Sequence, residues 1–331
     1  MTANKPVLGV TLYSFTNEWV VKAFTLEELL ATVVQNNLGP AVEVVGFQSF
    51  RSYPDVPQDF ATRFRDELDR NGLIPSCLGA NMDFGRRPGM LMTDEEKIEY
   101  LQRQIDSAVR LGFPVLRLQT SVGTKILEKF VPLLERANLH MGFELHAPLS
   151  MDNPEVIEFR ETFDRLQTPS LGFIPDFSTS MTSIPEGIWQ ELRELGLPEA
   201  LISDAKDVWV HTDAIPDKFK GIAGLVQKYN VPSELIGKLN GTMTMFGHML
   251  PENWREIMPY VRHIHGKFYH VNEEGIEPSI PYPRLMQVLL DVGYTGTISA
   301  EWEGHSYTRE PLALGEVKAW RRMCNRLLGY E

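Results

Sequence analysis

Cysteine is scarce in this 331-residue chain, which has two, Cys77 and Cys324. They lie far apart and match no metal-binding spacing. That argues against a disulfide scaffold and a thiolate zinc site, and suits buried free thiols in a reducing, cytoplasmic setting. Long apolar runs are also missing. None nears the roughly 18 residues of a membrane span. The opening MTANKPVLGVTLYS has no apolar core before a cleavage site, so no signal peptide is expected. Positive charge is in deficit: the formal net charge is −12 and the pI is near 5.2. A nucleic-acid binder would carry a basic face, so neither nucleic acid nor membrane is expected as a partner. Finally, no G-x-G-x-x-G follows the first strand-like segment. LYSFTNEW stands there instead, which argues against an open dinucleotide-binding sheet.

What is present is an alternation of strand-like and helix-like segments. The strand-like ones are PVLGVTLYS, AVEVVGF, IPSCLGA, VLRLQT, MGFELH, LGFIPD, HIHGKFY and TISAEW. Between them lie amphipathic stretches with start and stop signals. Thr25 caps TLEELLATVVQNN, Pro57 and Gly72 bracket VPQDFATRFRDELDRNG, and Thr93 and Glu96 stand at capping-box spacing. KILEKFVPLLERAN reads as the helix after the fourth strand. Strands each followed by helical sequence predict a (β/α)8 TIM barrel, because right-handed crossovers close such a run into a ring. We read residues 1–331 as one domain. Residues 177–250 form a long insertion after the sixth strand, too long for an ordinary loop. IPEGIWQELRELG, PEALISDAKDVW and AGLVQKY within it read as helices. Its root lies at the carboxyl end of a strand, the active-site face of a barrel.

Four apolar runs between residues 141 and 302 carry residues able to bind a metal at or near their ends. Carboxylates beside an apolar strand are costly unless something satisfies them. Glu144, Asp176, His265 and Glu301 stand at the ends of the fifth to eighth strands, and adjacent strands lie about 4.8 Å apart. Three carboxylates and an imidazole make a hard site for a divalent cation, with Mn2+ first among Mn2+, Mg2+, Co2+ and Zn2+. His263 shares a strand face with His265, and Glu303 shares one with Glu301, so either is an alternative ligand. His146, two residues beyond Glu144, suits a general acid or base. Lys267 follows His265 at the same spacing and could stabilise an oxyanion or enolate. His305, past the eighth strand, could contact a sugar hydroxyl. Trp302, Tyr307 and Phe177 could offer apolar faces to a ring. Glu43, charged within the apolar AVEVVGF, has an open role.

GVTLYS, AVEVVG, FELH, Asp176, HIHGK and GYTGTISAEWEG together resemble the xylose-isomerase-like barrels, which include sugar isomerases, sugar epimerases and inosose dehydratases. The resemblance covers nearly the whole chain apart from the insertion. It implies a divalent metal on Glu144, Asp176, His265 and Glu301. The chain departs from typical epimerases in its insertion, and in Phe268 where an Asp commonly follows the His-x-Lys. FELHAP, LYSFTNEW and EWEGH resemble more closely the α subunits of bacterial C-glycoside deglycosidases. That likeness implies a small β subunit and a larger hetero-oligomer. It also implies a 3-keto C-glycoside substrate, cleaved by C2 deprotonation and β-elimination to free aglycone and an unsaturated keto-sugar. A sugar isomerase or 3-epimerase would use the same metal site and return the proton.

Overall fold

The computed structural model describes residues 5–82, 90–212 and 214–330. Among the described residues there are eight strands: β1 (Val7–Thr11), β2 (Ala41–Val45), β3 (Ile74–Gly79), β4 (Val115–Gln119), β5 (His140–Leu145), β6 (Leu171–Pro175), β7 (His263–Phe268) and β8 (Thr297–Trp302). All pairings between them are parallel. Their order around the sheet is β6-β5-β4-β3-β2-β1-β8-β7. Parallel bridges Phe173–Val261 and Asp176–His265 bring the two ends together. This is a nearly closed (β/α)8 barrel with helices between the strands, the predicted fold.

The local signals act where the sequence places them. Thr25 and Glu28 form a capping box on the Leu26–Gln35 helix, and Thr93 and Glu96 form one on Asp94–Leu111. The Gln58–Arg70 helix starts after Pro57. KILEKFVPLLERAN departs from its reading as one helix: it divides into a 3-10 turn, Leu127–Lys129, and a short helix, Val131–Ala137. Pro132 explains the break, because it has no N–H to donate and its ring clashes with the carbonyl four residues back. Between β6 and β7 lie the helices Glu186–Glu194, Glu199–Val210, Ile215–Tyr229 and Ser233–Thr244. The last was not foreseen. Gly237 and Gly241 weaken its intrinsic preference, and burial of Leu239, Thr242 and Met243 holds it instead. The two ends of this segment pair through Met181 N–H to Gly247 O (2.8 Å) and Met249 N–H to Thr179 O (2.9 Å). Its helices are thus rooted on a closed base directly after Asp176.

The main apolar core lies between sheet and helices. Cys77, Val115 and Ile174 form a separate small cluster. Both cysteines are buried and free. Glu43, Asp176, His263, His265, Lys267, Ser299 and Glu301 are buried strand-end or strand residues. Such a density of polar groups, shielded from water, must be satisfied internally or by a ligand.

Candidate metal centre and active site

Strand alternation builds the site. On β7 it sends His263, His265 and Lys267 to one face. Ile264 and Phe268, on the other, join the apolar core. The register of β7 on β8 sets His265 opposite Ser299 and Lys267 opposite Glu301. β5 contributes Glu144, and the backbone just past β6 contributes Asp176, bridged to His265.

One ligand atom from each of Glu144, Asp176, His265 and Glu301 lies within 4.8 Å of the others. Ligand oxygens about 2.1 Å from a small divalent ion sit at most about 4.2 Å apart, so modest contraction would complete a coordination shell. His265 Nδ1 faces this set, 2.8 Å from Glu144 Oε1 and 3.4 Å from Glu301 Oε2. The other Glu144 oxygen lies 3.5 Å from Arg117 Nη1. Asp176 spends Oδ1 on the Ser178 N–H (2.6 Å) and leaves Oδ2 to the cluster.

The electrostatics fit a cation. Burial opposes the charge on Glu144, but Arg117 and His265 outweigh it and hold the carboxyl well below its usual range. Glu301 behaves in the opposite way: burial, reinforced by Asp176 and Glu303, pushes it up to about 8 against the pull of His265 and Lys267. A divalent charge within this hard oxygen and nitrogen donor set would favour the ionised form of Glu301.

Lys267 is 2% exposed. Its ammonium lies 3.0 Å from Asp176 Oδ2 and 3.7 Å from Glu301 Oε2, and it touches Glu303 Oε2. Burial opposes its charge, yet these carboxylates raise its pKa well above the ordinary lysine value. The three carboxylate contacts favour its ammonium form. His146 Nε2 lies 2.9 Å from Lys267 Nζ. His146 Nδ1 is 2.6 Å from the Ala147 carbonyl. A carbonyl only accepts, so Nδ1 carries the hydrogen, and the Nε2 lone pair accepts from the Lys267 ammonium.

His305 lies apart from the donor set. It occupies the turn Gly304–Ser306, is buried rather than a surface residue, and packs edge-on to Tyr13 with centroids 4.9 Å apart. Burial lowers its pKa against the opposing pull of Glu303. His263 lies one layer below His265, 3.0 Å from Glu43 Oε2, and outside the four-residue set. Glu303 reaches Lys267 and the Tyr13 hydroxyl (3.4 Å) and is likewise outside it. The three aromatic side chains have partners within the protein. Trp302 donates to the Tyr269 carbonyl, as does the Tyr307 hydroxyl, and Phe177 packs edge-on to Trp254 and Tyr282.

Three participants were not assigned from sequence. Arg117 shows the same signal as Glu144, a charge inside the apolar VLRLQT. Gly79 leaves it space: a Cβ there would lie 3.3 Å from Arg117 Nη2. Tyr13 gives no signal beyond its place after β1. Glu43 gives a clear signal, but no partner for it could be named until the strands closed.

The xylose isomerase-like TIM barrel family matches residues 40–323. The chain is 37% identical over 336 residues to the 3'-dehydrocarminate deglycosidase alpha subunit of a Microbacterium species, covering 98% of this chain and 96% of that one. It is 36% identical over 301 residues to a C-glycoside deglycosidase alpha subunit of Arthrobacter globiformis, covering 91% and 85%. Among solved structures, a D-psicose 3-epimerase in the presence of D-fructose superposes with a TM-score of 0.59 at 10% identity, covering 98% and 100%. That last likeness carries the fold alone.

Proposed function

We propose that this chain, which belongs to the xylose isomerase-like TIM barrels and within them to the C-glycoside deglycosidase alpha subunits, is a carbon–carbon lyase. Its substrates are C-glycosides already oxidised to a ketone at the sugar 3-position. What carries the reading is a buried donor set of Glu144, Asp176, His265 and Glu301. It sits in a chain aligned along nearly its whole length with a relative named for a 3'-dehydro glycoside.

The ketone acidifies the neighbouring C2 proton. Its removal puts the electron pair onto C2, C3 and the carbonyl oxygen. When that pair returns, a C1=C2 double bond forms, C3=O is restored and the C1–aglycone bond breaks. The departing carbon takes up a proton, so the products are free aglycone and an unsaturated keto-sugar. A divalent cation on Glu144, Asp176, His265 and Glu301, Mn2+ first among the hard choices, supplies Lewis-acid polarisation of the sugar carbonyl when bound. His146 Nε2 takes the C2 proton once the Lys267 ammonium that it accepts from has turned to the substrate. Lys267, held as an ammonium by its three carboxylate contacts, then stabilises negative charge developing on the sugar oxygen. His305 binds a sugar hydroxyl at the rim. The helical segment 177–250 is rooted after Asp176, at the active-site face, where it could cover the site or dock a partner. A smaller β subunit completes the enzyme as a larger hetero-oligomer, in keeping with the relatives' designation as alpha subunits.

His146→Ala is expected to keep its metal and lose turnover by about 10²–10⁴-fold, the usual cost of a positioned acid–base group. Elemental analysis and initial rates on a 3-keto C-glucoside are the readouts. Unchanged turnover in a metal-replete preparation would remove His146 from this role.

A further inference from the structure

Glu43 is 1% exposed and stands on β2, which is not a neighbour of β7 in the sheet. Its carboxylate nevertheless meets two side chains of β7 across the barrel. Oε1 lies 2.9 Å from His265 Nε2, and Oε2 lies 3.0 Å from His263 Nε2. Ser299 Oγ, 3.1 Å from the same His263 nitrogen, closes the group from β8. An ionised carboxylate accepts hydrogen bonds and donates none, so both imidazoles point an Nε2–H at Glu43. The His265 ring is therefore held at both edges. One edge is pinned to Glu43; at the other, Nδ1–H donates to Glu144 Oε1 (2.8 Å) and lies 3.4 Å from Glu301, a hydrogen that a bound cation would displace.

We propose that Glu43 is a positioning residue: by accepting the Nε2–H of His265, it fixes that ring's orientation and tautomer so that Nδ1 is the nitrogen offered to the Glu144–Asp176–Glu301 donors. A carboxylate behind a ligating imidazole also raises the basicity of the opposite nitrogen. His263 is the second tether. It fills the remaining Glu43 oxygen and stops the carboxylate from turning away from His265. This explains why a chain would keep an acid and two histidines buried below its site, where an apolar layer would be cheaper. The inference rests on the metal centre proposed above.

The test uses the whole chain, with Zn2+ as a diamagnetic probe. Long-range proton–nitrogen NMR of zinc-loaded protein labelled with 15N-histidine should show one ring, absent in His265→Asn, with zinc on Nδ1 and a hydrogen on Nε2. Glu43→Leu should weaken zinc binding about 10–100-fold, the range for loss of such a partner. Glu43→Gln, whose amide oxygen still accepts the His265 Nε2–H but which lacks the carboxylate charge and turns an amide NH2 toward His263, should bind more tightly than Glu43→Leu and more weakly than wild type. Zinc on Nε2 of His265, or full affinity in Glu43→Leu, would overturn this inference while leaving the metal centre standing. If Glu43→Leu does not fold, the wild-type spectrum and the Gln variant decide. A folded wild type that takes up no zinc would overturn the metal centre itself, and this inference with it.

Discussion

Glu144→Gln and Asp176→Asn are each expected to purify as folded barrels without bound divalent metal and without measurable aglycone release. Each change keeps the side-chain volume and removes one formal charge from a set of donors lying within 4.8 Å of one another. Folding should survive, because the main apolar core lies between sheet and helices and not at the strand ends. Lewis-acid stabilisation is worth several kcal/mol, and about 4 kcal/mol corresponds to about 10³-fold in rate. The loss should reach at least that factor. Elemental analysis, circular dichroism and rates on one preparation give the answer. A full complement of metal in both variants would remove the site.

Lys267→Met should produce the largest stability change. Lys267 is the cation that Asp176, Glu301 and Glu303 share. Removing one partner of a buried ion pair typically costs about 3–5 kcal/mol, because the abandoned charges stay buried. Urea unfolding in EDTA should show a loss of that order. Excess Mn2+ should recover more stability in the variant than it adds to the wild type, since binding to the folded state alone stabilises it by mass action. A variant as stable as wild type in EDTA would mean that the carboxylates are satisfied in some other way, and the description of the mouth would be wrong.

The barrel was legible because β/α alternation, capping boxes and proline positions are local signals. Thr93 with Glu96 and Pro57 with Gly72 act within a few residues of themselves. The strand-end logic also located Glu144, Asp176, His265 and Glu301, which the fold brings to one point. What stayed hidden depends on closure. Glu43 and His263 lie 220 positions apart in sequence and meet across the barrel. No periodicity in either segment encodes that distance. Arg117 has the same local signature as Glu144, but its partner is known only once β4 lies beside β5. The period-two pattern cannot separate His263 from His265, since both share a face. Height along the barrel separates them, and height is set by the register of β7 on β8. The Ser233–Thr244 helix is held by tertiary burial against its own glycines.

The central claim is that cleavage requires an acidic C2 proton and therefore a ketone at C3. The most direct measurement pairs one C-glucoside with its 3-keto form. Each is incubated with the metal-loaded chain and the proposed small partner subunit, and aglycone release is followed by chromatography, with heavy water reporting exchange at C2. The account predicts aglycone and unsaturated keto-sugar from the 3-keto form and no release from its unoxidised counterpart. C2 exchange or epimerised sugar with no aglycone released would contradict it, and so would equal cleavage of both glycosides.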